Sequence, residues 1–371
     1  MSSYHRYLYL PSLKGLACAP QITLSSAMEL DHLLHKAINL VLTPLVFAII
    51  CLILPFLIIF RLVVSISSRF SSENMARKVV LITGASSGIG EHMAYEYAKM
   101  GACLALVARR KEKLEAVAAR ARGLGSPDVL ALRADVSNVN DCKRSIDDTI
   151  NHFGKLNHLV NNAGIGSVCA LEEITDITNS GSLMDVNYWG SVYPTYFAIP
   201  HLRKTKGKIV VNSSTSALVQ PPSMSFYTSS KAAVIGFFES LRGELDPEVT
   251  VSIVTLGFVE SEMTEGKLVS GNGEVIVAPN LIKLFTDCWV NELGGQAISP
   301  TGLPKMRAGL AAKVIVDAIC RGERYVTEPK WYRMLTLFKY LCPEVIEWHF
   351  RQTKFGKVKE APSNHIPSKA D

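Results

Sequence analysis

Two kinds of hydrophobic pattern divide the chain. From Ile38 to Phe60 the residues INLVLTPLVFAIICLILPFLIIF run without a charge, and only Asn39 and Thr43 are polar. From Lys78 onward the apolar stretches are short, rich in β-branched residues and regularly interrupted. KVVLIT (78–83), ACLALVA (102–108), DVLALRA (128–134), LNHLVNN (156–162), GKIVVNS (207–213) and VTVSIVT (249–255) read as strands buried on both faces. Helical stretches begin between them, near Gly90, Lys111, Asn138, Ser180 and Ser225, and YVTEP (325–329) offers a seventh strand. Strand and helix in alternation predict an α/β fold with one doubly wound parallel sheet over residues 77–330.

The uncharged run is read as a membrane anchor over 38–66, preceded by an extension at 1–37. As a helix it reaches roughly 34 Å, enough for a hydrocarbon core of about 30 Å. It exceeds the apolar region of a signal peptide and no A-x-A-like site follows, so it is expected to stay attached. Pro44 and Pro55 each remove a helix hydrogen bond, which leaves two shapes open: a kinked span, or a hairpin dipping into one leaflet. Arg61, Arg69, Arg77 and Lys78 follow the run while only Lys36 closely precedes it, which puts the catalytic body on the cytosolic side. The sequon Asn212-Ser213-Ser214 agrees, because a glycan on that expected strand would be disabling. Residues 1–27 lack periodicity and Met28 precedes an amphipathic start, so the working protein begins either at Met1 or at Met28.

Charge refines the partner class. The net charge is +6, yet residues 79–330 sum to −1 and the surplus lies in the flanks, +4 over 1–78 and +3 over 331–371. A nucleic-acid footprint would make the body itself basic, so nucleic acid is excluded as the main partner and an anionic lipid surface is favoured. The eight cysteines include no Cys-x-x-Cys pair, and no metal site is expected.

The candidate chemistry begins at the first strand. It runs directly into Thr83-Gly84-Ala85-Ser86-Ser87-Gly88-Ile89-Gly90 and a helix, the strand–glycine loop–helix order that cradles a pyrophosphate. The second strand ends in Arg109-Arg110, with no carboxylate until Glu112, so the cofactor is expected to be NADP, its 2′-phosphate held by basic side chains. Asp135 ends the third strand, where it meets the adenine or caps the next turn. Tyr227 and Lys231 are four apart on one helix face, Ser214 lies thirteen residues before Tyr227 and Asn187 forty before it. A tyrosine beside a lysine ammonium exchanges protons more readily than a free phenol, and a serine hydroxyl there holds and polarises a substrate oxygen.

With these motifs in order, the chain resembles the short-chain dehydrogenases/reductases. Thr83 to Gly90 matches TGxxxGIG, Asn161-Asn162-Ala163-Gly164 matches NNAG, and Asn187, Ser214, Tyr227 and Lys231 match the catalytic tetrad. The resemblance implies a Rossmann fold with Gly84, Ser86, Ser87, Gly88, Ile89, Gly90, Arg109, Arg110, Asp135, Val136, Asn162, Ala163, Gly164, Tyr227, Lys231 and Val259 around NADP. It further implies Asn162 beside the ribose, Asn187 anchoring a water in a relay from Lys231, and Ser214 and Tyr227 on the substrate. The family's Pro-Gly after the sixth strand is Leu256-Gly257 here.

Within that family the spaced prolines, GKLVS and RYVTEPKWYR resemble the plant 11β-hydroxysteroid dehydrogenase-like proteins, the steroleosins of oil bodies. That likeness implies a proline knob in a droplet monolayer or the endoplasmic reticulum, a hydroxysteroid or sterol substrate of 11β or 17β type, and room for a homodimer. Another keto-lipid, or a mainly structural, sterol-binding droplet coat, are the alternatives. Residues 257–304 are read as a substrate cover, with Ile276, Val277, Leu281, Leu284, Phe285 and Trp289 either lining an apolar pocket or packing against the body. The aromatic and basic residues of 331–371 are read as an interfacial segment and tail.

Overall fold

The computed structural model describes residues 24–69, 72–277 and 306–352. The chain divides into two units, Met1–Phe70 and Ser71–Asp371. The first holds one helix, α1 (Leu24–Arg69), with Pro44 and Pro55 inside it. Neither proline ends the helix, which runs continuously through both. The helix starts within the expected 1–37 extension, because Leu30, Leu33, Leu34 and Ile38 already repeat at helical spacing. Over Met28–Phe60 it is long and apolar enough to cross a membrane.

In the second unit every expected strand forms, with bounds shifted by one or two residues. They are β1 (Val79–Thr83), β2 (Cys103–Ala108), β3 (Val129–Arg133), β4 (His158–Asn161), β5 (Lys208–Ser214), β6 (Thr250–Leu256) and, near the C-terminus, β9 (Tyr325–Glu328). They build one parallel sheet in the order β3-β2-β1-β4-β5-β6-β9. The order reverses between β1 and β4, the switch point beyond whose carboxyl ends such sheets bind ligands.

Alternating strand residues feed two cores. Val80 and Ile82 pack with Met93 of α2 (Gly88–Lys99), Leu114 of α3 (Lys111–Gly123) and Ile315 of α9 (Ala308–Cys320). Val79 and Leu81 pack with Ile146 of α4 (Val139–Phe153), Leu202 of α6 (Gly190–Thr205) and Phe238 of α8 (Ser225–Leu245). Both sheet faces are thus covered, as uninterrupted apolar strands require. Asn138 caps α4 by accepting from Asn140 N at 2.9 Å and Asp141 N at 3.2 Å.

At the amino ends of the strands a polar clasp closes the sheet. Glu73 bonds Lys78, accepts from Lys208 at 2.6 Å and lies 3.3 Å from His158, whose other ring nitrogen is 3.2 Å from the Tyr97 hydroxyl. At the opposite ends, α5 (Gly181–Met184) passes through a π-helical turn, Asp185–Trp189, into α6, and α7 (Ser216–Val219) precedes α8. A hairpin of β7 (Lys267–Val269) and β8 (Val275–Val277) and the pair α10 (Tyr332–Leu341) and α11 (Pro343–Gln352) complete that end.

Candidate active site

The turn after β1 brings backbone against backbone. Gly84 and Gly88 take left-handed φ of 67° and 61°, a conformation that costs glycine nothing. A Cβ on Gly84 would lie 2.8 Å from Ala163 Cα, and one on Gly90 only 2.3 Å from Asn162 Nδ2. Thr83 Oγ1 accepts from Asn162 N at 3.0 Å and Ala163 N at 3.1 Å, locking the Asn-Asn-Ala-Gly turn to β1. Asn212 Nδ2 donates to Asn162 Oδ1 at 2.8 Å, and among the described residues Asn212 Oδ1 is a buried acceptor without a partner.

Beside this turn the end of β2 delivers two arginines with different surroundings. Arg110 donates to Ser87 Oγ at 2.7 Å, Ser86 Oγ at 3.0 Å and both carboxylate oxygens of Glu262 at 2.8 and 2.9 Å. Arg109 is more exposed and sits 3.7 Å from Asp135. Asp135 Oδ1 accepts from Ser137 N at 3.0 Å, capping the turn, and Asp135 lines the cavity. A glycine turn with no room for side chains, a helix N-terminus, an orphan acceptor and basic side chains fit a nicotinamide dinucleotide.

The tetrad residues converge at the carboxyl ends of β4 and β5. Asn187 is fully buried in the π-helical turn, a feature that often marks functional sites. Its Oδ1 accepts from Ile165 N at 2.9 Å, and its Nδ2 donates to Ile165 O at 3.0 Å and Ser230 Oγ at 2.9 Å. Lys231 Nζ donates to Asn212 O at 3.0 Å, and Gly164 leaves space for it, since a Cβ there would lie 3.2 Å from Nζ. Ser214 Oγ accepts from Ser216 Oγ at 3.0 Å and Ser216 N at 3.1 Å, which leaves its own proton for the Tyr227 oxygen and, at a long 3.4 Å, Leu256 O.

Burial pushes the Tyr227 phenol above its usual pKa, and a hydrogen bond with Ser214 pulls the other way. Burial brings Lys231 down to about 8. In the protein alone the net direction for Tyr227 is upward, and the lysine is turned to a backbone carbonyl.

These groups share one cavity of about 410 Å³, within the ~300–1,000 Å³ range of ligand sites. Of the expected site residues, Gly90 and Asn187 stand behind its wall and the others line it, Val259 included. Ile276 and Val277 do not line it; from the β7–β8 hairpin Leu268, Val269 and Val275 do. Leu281, Leu284, Phe285 and Trp289 lie outside the described residues, as do 1–23 and 353–371. Trp331, Tyr332, Leu335 and Phe350, expected at an interface, line the cavity. Gly257 explains why: a Cβ there would meet Tyr332 Cε2 at 2.2 Å, so the ring needs a glycine beneath it. The sequence reading also missed Ser216, Glu262 and Lys267 on this wall: Ser216 sits two residues from Ser214 but belongs to no motif, and Glu262, with its neighbour Lys267, meets Arg110 across 152 residues.

Comparison with known proteins adds an independent line. The family model described as short chain dehydrogenase matches residues 78–269. An 11-beta-hydroxysteroid dehydrogenase A from Sesamum indicum is 50% identical over 86% of this chain and 87% of its own length. An 11-beta-hydroxysteroid dehydrogenase 1A from Arabidopsis thaliana is 49% identical over 86% and 88%. Among solved structures, a short chain dehydrogenase/reductase from Burkholderia phymatum in complex with NAD aligns with a TM-score of 0.60 at 24% identity, covering 73% of this chain and 96% of its own. An alcohol dehydrogenase from Thermococcus sibiricus complexed with 5-hydroxy-NADP gives 0.54 at 23%, covering 68% and 94%.

Proposed function

The chain belongs to the short-chain dehydrogenases, and from that premise we propose that it is a membrane-anchored, NADP-dependent oxidoreductase acting on a hydroxysteroid or sterol. The observation that carries the reading is the meeting of Ser214, Tyr227 and Lys231 in one largely apolar cavity beside the glycine turn.

When bound, the nicotinamide dinucleotide supplies or accepts the hydride. The protein's part is to hold the substrate oxygen and move its proton. Ser214 Oγ has both acceptor positions filled by Ser216, so its proton, shared between the Tyr227 oxygen and a long contact to Leu256 O, is the one it turns to a substrate oxygen. Tyr227 Oη, hydrogen-bonded to Ser214, donates the proton in reduction and takes it in oxidation. Lys231 is held by Asn212 O behind the tyrosine, and Asn187 fixes the Ile165 backbone opposite it.

NADP is supported by Arg109 and Arg110 at the end of β2 and by the serines that Arg110 gathers. The steroid class is supported by apolar walls such as Val186, Val219, Met263 and Leu268 and by the names of the plant relatives. Anchoring is supported by α1, and a further lipid contact by exposed Phe338, Tyr340, Leu341 and Trp348 among Arg333, Lys339 and Arg351. A cytosolic body is supported by the cationic residues after the anchor, and a place at the endoplasmic reticulum or a lipid droplet by the resemblance to the plant oil-body proteins.

The test is turnover of a panel of hydroxy- and ketosteroids, sterols and other keto-lipids with NADP or NADPH, followed at the nicotinamide absorbance. Steroid turnover is expected. Turnover of keto-lipids alone would move the substrate class, and none with any compound would favour the droplet-coat role.

A further inference from the structure

Glu262 stands where an incoming anion would stand. It lies in the turn at 261–266, 152 residues beyond Arg110, and takes that guanidinium through both oxygens. The same carboxylate accepts from Lys113 Nζ at 3.1 Å and Lys267 Nζ at 3.0 Å. Three cations therefore surround one carboxylate, leaving a local surplus of two positive charges. Arg110 meanwhile keeps Ser86 and Ser87 of the glycine turn. Burial alone would raise the Glu262 pKa, but the bonds from Arg110, Lys267 and Lys113 bring it down to about 2. These bonds favour its ionised form.

We propose that Glu262 is a resident anion that holds the 2′-phosphate site together and hands its cations to the 2′-phosphate when the phosphorylated dinucleotide binds, with Lys113 and Lys267 joining Arg110 as phosphate contacts. This rests on the NADP reading above. A phosphate near charge −2 matches the surplus that Glu262 leaves unneutralised, and a guanidinium N–H serves a phosphate as well as a carboxylate. Both Glu262 oxygens share the one Nη1 of Arg110, and a phosphate cannot take that nitrogen while the carboxylate holds it, so the carboxylate must give way. A dinucleotide with a plain 2′-hydroxyl brings no charge to exchange, and Glu262 then keeps its partners.

The exchange reaches the other wall of the cavity. Met263 follows Glu262 directly, and Leu268 and Val269 follow Lys267; all three line the cavity. Releasing Glu262 frees the turn that carries them, so the phosphorylated cofactor, and not its 2′-hydroxyl counterpart, alters the substrate side.

Full-chain protein in detergent is titrated with NADPH and NADH by nicotinamide fluorescence. Glu262→Gln should tighten NADPH by about fivefold or more, the scale of one charge-assisted hydrogen bond, and leave NADH almost unchanged. Lys113→Ala/Lys267→Ala should weaken NADPH by about tenfold and spare NADH. Equal weakening of both cofactors by Glu262→Gln, or no change in NADPH affinity, would overturn the exchange. Hydrogen exchange of the unaltered protein is a test independent of variant stability: residues 260–269 should exchange faster with NADPH than with NADH, and identical protection would also overturn it. Arg110→Ala separates the two failures, because an unchanged NADPH/NADH ratio in that variant removes the 2′-phosphate reading itself and the exchange with it.

Discussion

Ser216 directs Ser214: its hydroxyl and its backbone N–H both donate to Ser214 Oγ, at 3.0 and 3.1 Å. Ser216 thus acts as a positioning residue, through the orientation of a hydroxyl it never shares with substrate. Ser216→Ala should lower kcat by about fivefold to tenfold, the worth of one hydrogen bond, with cofactor affinity unchanged. Ser216→Thr should restore the rate. An unaltered kcat, or loss that threonine does not repair, would count against this role.

Tyr227→Phe keeps the ring and removes the proton. Turnover should fall by about a hundredfold or more while NADPH titration stays near that of the unaltered protein. Retention of turnover would sink the assignment of the proton donor.

The Glu73 clasp predicts acid lability. Burial alone would raise the Glu73 pKa, but its bonds to His158, Lys208 and Lys78 outweigh that and hold it far below the usual carboxylate range. A depressed carboxylate stabilises the fold above its unfolded pKa, near 4.5, and loses that contribution as pH falls. His158, lowered by burial, gives the same sign below its unfolded pKa near 6.5. Thermal unfolding followed by circular dichroism should show a Tm declining from pH 6.5 downward. Glu73→Gln should cost about 2 kcal/mol at neutral pH and flatten the decline below pH 4.5.

Gly257→Ala places a methyl inside the Tyr332 ring, and overpacking of that kind costs about 1–3 kcal/mol. A lower Tm, with faster proteolysis of the chain after Pro329, is the expected result. A second substitution, Tyr332→Ala, should relieve the overlap, so that the two costs are less than additive.

Removing the anchor requires a cut before the clasp. Met75 is buried and Glu73 is bonded to three elements of the sheet, so truncation through residue 75 would take part of the body with it. Protein lacking residues 1–70 should remain folded and active and leave the membrane pellet on fractionation. Any fraction that stays should be released by salt if the basic and aromatic C-terminal face holds it.

The sheet was legible because a strand buried on both faces must be apolar throughout, and six such runs with helices between them admit few other folds. Asn187, Ser214, Tyr227 and Lys231 were legible through their spacing. Glu262 was not, because the carboxylate that meets Arg110 lies 152 residues away and sequence distance carries no sign of the contact. The aromatic cluster at Trp331 and Tyr332 was assigned to a lipid interface on composition. Composition cannot tell a ring against solvent or lipid from one seated on Gly257. Hydrophobicity alone does not separate Ile276 and Val277, which stand off the cavity, from Leu268, Val269 and Val275, which line it.

The two prolines of α1 give the helix a direction as well as a length. Pro44 and Pro55 are 11 residues apart, close to three full turns, so they fall on nearly the same side. Each withholds an N–H from the carbonyl four residues earlier, at Leu40 and Cys51, and each tilts the helix away from its own ring. Bends on one side add, producing an arc instead of a zigzag. Its outer curve carries two carbonyls with lone pairs to spare. In a hydrocarbon layer, where such groups cannot be left bare, that curve has to meet water, a headgroup or a donor from another helix, and so it fixes which way round the rod is turned.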